Sequence, residues 1–225
     1  MPELPEVETI TRALKPLLVG QTVARVEVRW PRSVEMPEAA AFERALVGRT
    51  VTDVARRGKF AVFSMAPCGA LLVHLRMTGQ LLLDQPGQSV APDKHTHVLI
   101  HFASGATLRF RDTRKFGRMY WVDDPQQVVG NLGPEPLAEE LTAARFAETL
   151  ARHRRQIKPL LLDQRILAGV GNIYADEALW EAGIHPLRQA HQLTPEQSRR
   201  LWSALRHVLA SAIAHRGTSL RDYRD

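Results

Sequence analysis

The residues with the clearest chemical potential open the chain, which begins Met-Pro-Glu-Leu-Pro-Glu-Val-Glu. A small residue after the initiator methionine is the usual condition for its removal, which would leave Pro2 with a free secondary amine. An α-amino group titrates at roughly pH 7.7–8.0, so part of the population would be neutral and able to form an iminium with a carbonyl carbon. Glu3 could transfer protons beside it. The same residues also suit an ordinary helix start, since proline favours a first turn and Glu6 and Glu8 favour its positive end.

A second amine, Lys59, follows Arg56-Arg57-Gly58 and leads into an apolar stretch that begins at Phe60. A lysine in this position is most often a solvated charge at the edge of a strand. In an enzyme that forms an iminium, however, it could protonate or deprotonate the substrate. Both interpretations remain open from the residues alone.

Two short polar segments carry unexpected apolar or cationic side chains. Met77 lies in His-Leu-Arg-Met-Thr-Gly (74–79), and Arg114 and Phe116 lie in Asp-Thr-Arg-Lys-Phe-Gly (112–117). An enzyme that works on a base must extrude it from the duplex. Apolar side chains can then fill the vacancy, and a cation can pair with the orphaned base. Ordinary hairpin packing would explain these residues equally well.

Basic residues and histidines form two further groups. His95, His97 and His101 recur in a strand-like segment, but a metal site needs three or four converging ligands, and we predict no metal here. Residues 152–155 read Arg-His-Arg-Arg, and Lys158 follows. This run is either a solvated face or a set of phosphate contacts, which position DNA without reading its sequence.

The most specific internal motif is Gly-Val-Gly-Asn-Ile-Tyr-Ala-Asp-Glu-Ala at residues 169–178. Its glycines permit a tight turn with exposed backbone N–H groups. Asn172 would then open a helix whose positive end suits a phosphate.

The composition fits a nucleic-acid partner without proving one. The chain has 225 residues, of which 44% are hydrophobic, and a net charge of +6. This is enough for one large or two modest domains, and the basic balance suits a polyanion, although a merely soluble basic protein would also show it. The single cysteine, Cys68, excludes a disulfide framework and a cysteine-rich metal site within these residues. With no apolar run of about 18 residues and no secretory signal, we expect a cytoplasmic protein.

The periodicity predicts an α+β chain. A helix over residues 5–15 should end at Lys15, because Pro16 follows. Alternating apolar residues predict an antiparallel β-sandwich or barrel, with strands at 23–30, 51–54, 60–65, 71–75, 80–83, 98–102, 107–111 and 118–122.

The glycine- and proline-rich segment 130–136 is a linker, so the predicted domains are 1–130 and 131–225. Helices are predicted after it at 142–152, 156–166 and 172–183. A last helix opens with a capping box from Thr194 to Gln197, presents an apolar stripe at Leu201, Leu205, Val208, Leu209, Ala212 and Ile213, and meets stop signals at residues 215–217.

Residues 2–9, Pro-Glu-Leu-Pro-Glu-Val-Glu-Thr, resemble the N-terminal signature of the bacterial formamidopyrimidine-DNA glycosylases. The segments around Lys59, Met77 and Phe116 resemble further motifs of that family, and residues 169–178 resemble its helix–two-turn–helix. The resemblance implies a bifunctional glycosylase and abasic-site lyase that excises oxidised purines, such as 8-oxoguanine and formamidopyrimidines, in base excision repair through a Schiff base.

The resemblance also assigns roles to individual residues. Pro2, Glu3 and Lys59 would be catalytic, and Met77, Arg114 and Phe116 would fill the void left by the base. The residues implied to bind DNA are His95, Arg114, His153, Lys158, Asn172 and Tyr174. The family tends to have lysine where His153 stands, which implies a weaker, pH-dependent contact.

Three features qualify the resemblance. The family normally continues into a four-cysteine zinc finger, so we expect no cofactor in this chain and a structural zinc only in longer relatives. Residues 217–222 resemble the start of a loop that caps the lesion. A retained Met1 would acylate Pro2 and destroy the nucleophile.

The expected partner is double-stranded DNA containing oxidised purines or abasic sites. The protein would act as a monomer, without a membrane, in the bacterial cytoplasm. Two alternatives remain: a non-catalytic binder of damaged DNA or inactive truncated remnant, and a related glycosylase acting on pyrimidine lesions.

Overall fold

A computed structural model describes residues 2–88 and 90–215. The internal contacts divide the chain into two compact units. One contains Met1–Pro2 and Val7–Gly130, and the other contains Glu3–Glu6 and Asn131–Asp225. The predictions that concern Met1, the loop at 217–222 and the last stop signals at 216–217 lie outside the described residues.

The first helix, α1 (Leu4–Leu18), is longer than predicted because Pro16 lies inside it. Proline removes one helical hydrogen bond and crowds the carbonyl four residues earlier. Two features hold the last turn: the side chains of Leu14 and Leu18 are buried, and the Val19 N–H donates to the Lys15 carbonyl at 3.1 Å. The prediction that the helix ends at Lys15 is therefore wrong.

In the described part of the chain, nine strands form two sheets: β1 (Val23–Val28), β2 (Val34–Met36), β3 (Thr50–Arg57), β4 (Phe60–Ala66), β5 (Ala70–His74), β6 (Gly79–Asp84), β7 (Thr96–Phe102), β8 (Thr107–Asp112) and β9 (Arg118–Val122). One sheet has the order β1-β7-β8-β6 and the other β2-β9-β5-β4-β3. All neighbours are antiparallel except the short pair β2 and β9. The strand β2 and the helix α2 (Ala39–Leu46) were not predicted.

Beyond a short helix α3 (Gln126–Val129), the chain is helical, with α4 (Ala143–Ala151), α5 (Ile157–Leu162), α6 (Asn172–Glu181) and α7 (Pro195–Ala214). The capping box of α7 is present: Thr194 Oγ1 accepts the Gln197 N–H at 3.2 Å, and Gln197 Oε1 accepts the Thr194 N–H at 2.9 Å. The helix α5 is shorter than predicted. An α+β chain with an N-terminal helix, antiparallel sheets and a helical C-terminal part is confirmed.

The core of the second unit is built from leucine-rich helices and one residue from the start of the chain. Leu4 is fully buried in it, together with apolar side chains that include Leu160, Leu201, Leu205 and Leu209. Burying a side chain of this size contributes about 1.5–3 kcal/mol, so the chain start is packed as core. No helix in the described part of the chain is long and apolar enough to cross a bilayer.

His74 ends β5 in a surrounding that disfavours its charged form. Its ring meets the Phe60 ring edge-on, with 4.7 Å between centroids, and its Nδ1 accepts the Arg76 N–H at 3.1 Å. Burial, together with the positive charges of Arg76 and Lys59, lowers the pKa of His74 to about 3. The ring is therefore neutral in the folded protein.

This predicts a pH-dependent contribution of His74 to stability. An unfolded histidine has a pKa of about 6.5, so below that pH the unfolded state binds the proton more readily, and the stability from His74 is lost as the pH falls from about 6.5 towards 3. Urea unfolding should show that the difference in free energy of unfolding between the wild type and His74→Asn shrinks by up to a few kcal/mol as the pH falls over this range. A difference that stays constant with pH would contradict the assignment.

Candidate active site and nucleic-acid interface

The carboxylate of Glu3 is fixed at the start of helix α6. It is buried; its Oε2 accepts the Gly171 N–H at 2.7 Å, and its Oε1 accepts the Ile173 N–H at 3.0 Å. The first N–H groups of a helix have no partner within the helix and carry partial positive charge. They therefore stabilise the negative charge of Glu3 and fix the direction of its side chain.

Two glycines allow this close approach. Gly169 has a φ of +89°, and a Cβ there would lie 2.9 Å from the Leu4 Cβ. A Cβ on Gly171 would lie 2.4 Å from the Glu3 Cδ. The Gly169 carbonyl also accepts the Leu4 N–H at 3.0 Å. The Gly-Val-Gly sequence is thus required to seat residues 3 and 4.

This arrangement corrects one expectation about the motif. We expected the backbone N–H groups of its turn to be exposed for a phosphate, but those of Gly171 and Ile173 donate to the Glu3 carboxylate. The positive end of α6 faces a carboxylate of the same chain. The side chain of Asn172 is exposed, and it is the part of this turn that can reach a phosphate.

Glu6 holds the backbone of Glu3. Its Oε2 accepts the Glu3 N–H at 2.9 Å, and its Oε1 accepts the Tyr174 hydroxyl proton at 2.6 Å. The Glu3 N–H belongs to the peptide bond with Pro2, so Glu6 also orients that peptide. The sequence motifs alone did not indicate this role of Glu6. One sequence feature could have indicated it. Glu6 lies three residues after Glu3, a spacing that places the two carboxylates on one side of a helical turn.

Tyr174 does not lie where its expected contact with DNA would require. Its side chain is 0% exposed, and its hydroxyl is used by Glu6. A side chain with no accessible surface cannot contact DNA, so we assign Tyr174 to the support of Glu6 instead. Pro2, by contrast, is partly exposed.

Lys59 occupies a two-residue turn between β3 and β4, after Gly58 with a φ of 56°. It is only 9% exposed, which excludes the interpretation of a solvated edge charge. Arg56 supports the turn, because its guanidinium donates to the Gly58 carbonyl at 3.1 Å and to Glu8 Oε2 at 2.8 Å. Burial alone would raise the pKa of Glu8, but the hydrogen bonds and positive charges of Arg56 and Arg12 have the larger effect and lower that pKa.

Met77, Arg114 and Phe116 are presented on two turns of the first unit. Met77 is 43% exposed and Phe116 is 46% exposed, and both line one surface groove. The Arg114 guanidinium lies over the Phe116 ring, 4.9 Å from its centroid. The structure therefore brings together an exposed thioether, an aromatic ring and a cation, the chemical types that can occupy a vacated base position.

The predicted phosphate contacts have partners within the protein. Lys158 Nζ lies 2.8 Å from Asp176, so this carboxylate competes with a phosphate for the ammonium. His153 Nδ1–H donates to the Thr149 carbonyl at 2.7 Å. The other ring nitrogen, Nε2, can donate to a phosphate only when it also carries a proton. His95 is partly exposed.

The residues present do not fit a zinc finger. The chain contains one cysteine, Cys68, which is exposed. Across residues 2–88 and 90–215, no group of three histidine, cysteine, aspartate or glutamate side chains is arranged to hold a metal ion.

Comparison with known proteins identifies both parts of the chain. Residues 1–119 match the model of the formamidopyrimidine-DNA glycosylase N-terminal domain. Residues 132–224 match that of the formamidopyrimidine-DNA glycosylase H2TH domain, the helix–two-turn–helix.

Relatives match over nearly the whole chain. The formamidopyrimidine-DNA glycosylase of Moorella thermoacetica is 49% identical over 229 residues, which cover 100% of this chain and 83% of the relative. That of Enterococcus faecalis is 45% identical, covering 99% of this chain and 80% of the relative.

Solved structures agree with this assignment. The Lactococcus lactis enzyme in complex with a Fapy-dG-containing DNA has a TM-score of 0.90 at 36% identity, covering 96% of this chain and 82% of that one. The same enzyme bound non-covalently to DNA containing an AP site has a TM-score of 0.89 at 36% identity, covering 96% and 83%. The chain belongs to the formamidopyrimidine-DNA glycosylase family.

Proposed function

We propose that this protein is a bifunctional DNA glycosylase and abasic-site lyase that excises oxidised purines from duplex DNA. The observation that carries the proposal is the fixed, buried carboxylate of Glu3 directly after Pro2, together with membership of the family. The substrate would be chromosomal DNA, which places the activity in the bacterial cytoplasm. The Lactococcus lactis complexes contain Fapy-dG or an AP site, and we extend these ligand classes to this chain.

The first step would use the amine of Pro2 after removal of Met1. The nitrogen attacks C1′ of the damaged nucleotide, and the bond from C1′ to the base breaks, so the base leaves with the electron pair and takes a proton from water. Glu3 accepts a proton from the attacking amine and returns one to the sugar ring oxygen as the ring opens. The product is an iminium between Pro2 and C1′, which keeps a hydroxyl at C4′.

The iminium then promotes strand cleavage. It acidifies the C2′–H bond, and Lys59 would assist removal of that proton while the 3′ phosphate leaves with the electrons of its C–O bond. Hydrolysis of the resulting conjugated iminium returns Pro2 to the free amine. Lys59 is 9% exposed, so its amine lies in the fold and not in bulk solvent.

Binding would use the surface side chains of both units. Met77, Arg114 and Phe116 would fill the space left by the extruded base, at a cost in unstacking that the added contacts offset. The side chains of Lys158, Asn172, His95 and protonated His153 would contact phosphates. Contacts of this kind fix the register of the protein on DNA.

Borohydride trapping tests the catalytic proposal. Protein whose intact mass shows removal of Met1 should form a covalent adduct with a duplex that contains 8-oxoguanine, and without borohydride it should nick the strand. Glu3→Gln should bind the duplex but lose excision. If the Met-free protein binds a duplex with an abasic analogue yet gives no adduct and no nick, the protein is a non-catalytic binder of damaged DNA.

Gly171→Ala should impair catalysis more than binding. The added Cβ would overlap the Glu3 carboxyl group, and a displacement of about 1 Å at a reacting group can cost on the order of a hundredfold in rate. We expect a loss of this size in single-turnover excision, with duplex affinity close to wild type. Gly183→Ala is the control for general destabilisation, since a Cβ there meets nothing within 4 Å and only strains the backbone at a φ of +64°. Equal rates for both variants would contradict the proposed role of the Glu3 position.

Asp176→Asn should strengthen binding to undamaged duplex. The change removes the carboxylate that pairs with Lys158 at 2.8 Å and releases the ammonium for a phosphate. One added phosphate contact should steepen the dependence of log K on log salt by about 0.9, measured by fluorescence anisotropy. Glu177→Gln, an exposed neighbour on the same helix, makes the same change in charge. If both variants change the slope equally, net charge alone explains the effect.

A further inference from the structure

Asp112 is a fully buried carboxylate at the end of β8. Among the described residues its side chain has no cationic partner, and its oxygens accept from three uncharged donors. The Thr78 hydroxyl and the Arg114 N–H, at 3.1 Å, donate to Oδ1, and the Gly117 N–H donates to Oδ2 at 2.7 Å. Burying a carboxylate costs free energy unless hydrogen-bond donors compensate for the lost water, and these three donors supply that compensation.

The three donors belong to the two turns that present Met77, Arg114 and Phe116. Thr78 directly follows Met77 in the turn between β5 and β6. Arg114 and Gly117 flank the second turn, between β8 and β9, and Gly117 directly follows Phe116. One carboxylate thus joins two segments that are separated by 34 residues.

Both turns have a backbone that needs such support. Arg76 and Lys115 have positive φ values of 55° and 60°, a region that residues with a Cβ seldom occupy. At Gly117 a Cβ would lie 2.5 Å from the Phe110 ring. The conformations that direct the three side chains outward are therefore maintained by the hydrogen bonds and packing around Asp112.

The backbone of Asp112 is fixed as well. Its N–H donates to the His95 carbonyl at 2.9 Å, and its carbonyl accepts from His97 Nε2 at 2.7 Å. The buried His97 is thus a donor that fixes the strand end.

We infer that Asp112 is a positioning residue for base extrusion, which holds Met77, Arg114 and Phe116 as one preassembled group. The inference rests on the proposed function. Extrusion of an intact base requires the group to enter the duplex together, whereas a preformed abasic site contains no base to displace. Asp112 therefore affects removal of a base more than cleavage at an abasic site.

Asp112→Asn tests the inference, because an amide keeps the shape but replaces one acceptor oxygen with a donor group. Single-turnover excision of 8-oxoguanine should fall on the order of tenfold to a hundredfold, while cleavage of a duplex with a preformed abasic site stays near wild type. Thr78→Val removes only the link between the turns and should likewise lower excision while leaving cleavage of the abasic duplex near wild type. Thr78→Val also tests the inference if Asp112→Asn does not fold.

Asp84→Asn is the control for general damage to the sheet. Asp84 is another buried acid of the first unit, paired with Arg109 at 2.7 and 2.8 Å, and its loss should leave the ratio of the two rates unchanged. If Asp112→Asn or Thr78→Val lowers both rates equally, the role is only structural and the inference fails. If the wild type itself neither excises the base nor cleaves the abasic duplex, the proposed function fails instead.

Discussion

The interaction on which the candidate site depends is the pair of hydrogen bonds between the Glu3 carboxylate and the first N–H groups of α6. It joins residues separated by 168 positions in sequence. The burial of Leu4 in a leucine-rich core and the close approach at Gly169 and Gly171 both serve this contact. Residues 3 and 4 are consequently held by backbone, side chain and packing at once, as the proposed catalytic role of Glu3 would require.

This use of the helix start changes how the protein would bind DNA. A helix N-terminus is a ready site for a phosphate, but in this chain the two N–H groups are occupied by Glu3. In the proposed function, phosphate contacts would then fall to side chains such as Asn172 and Lys158. The ion pair of Lys158 with Asp176 restrains one of them, so affinity for undamaged DNA would be moderated within the protein itself. The net charge of +6 would still favour encounter with a polyanion.

Much of the fold could be predicted because its periodicity is local. Alternation identified the long strands, and the capping box identified α7. The helix α1 passes Pro16 because burial of Leu18 outweighs the lost hydrogen bond, which no local rule shows. The strand β2 has only three residues, and α2 offers only Phe42 and Leu46 as buried apolar positions, too few to give a clear period.

The sequence motifs indicated candidate site residues but not the residues that hold them in place. Motifs pointed to Glu3, Lys59, Met77, Arg114 and Phe116, since these side chains carry recognisable chemistry. Glu6 and Asp112 act by accepting hydrogen bonds from nearby backbone N–H groups and from the hydroxyl groups of distant residues, and their sequence positions resemble those of ordinary solvated acids. Tyr174 shows the converse: its motif suggested a contact with DNA, but burial in the helical core gives it a hydrogen bond to Glu6.

The central claim is that the Glu3 carboxylate is bound to the start of α6, and amide NMR tests it most directly. In ¹⁵N-labelled protein, the Gly171 and Ile173 N–H protons should be shifted downfield and protected from solvent exchange. In Glu3→Gln both effects should weaken, while amides in the middle of α7 stay unchanged. If the Gly171 and Ile173 signals are the same in both proteins, the carboxylate does not hold these groups, and the account of the site is wrong.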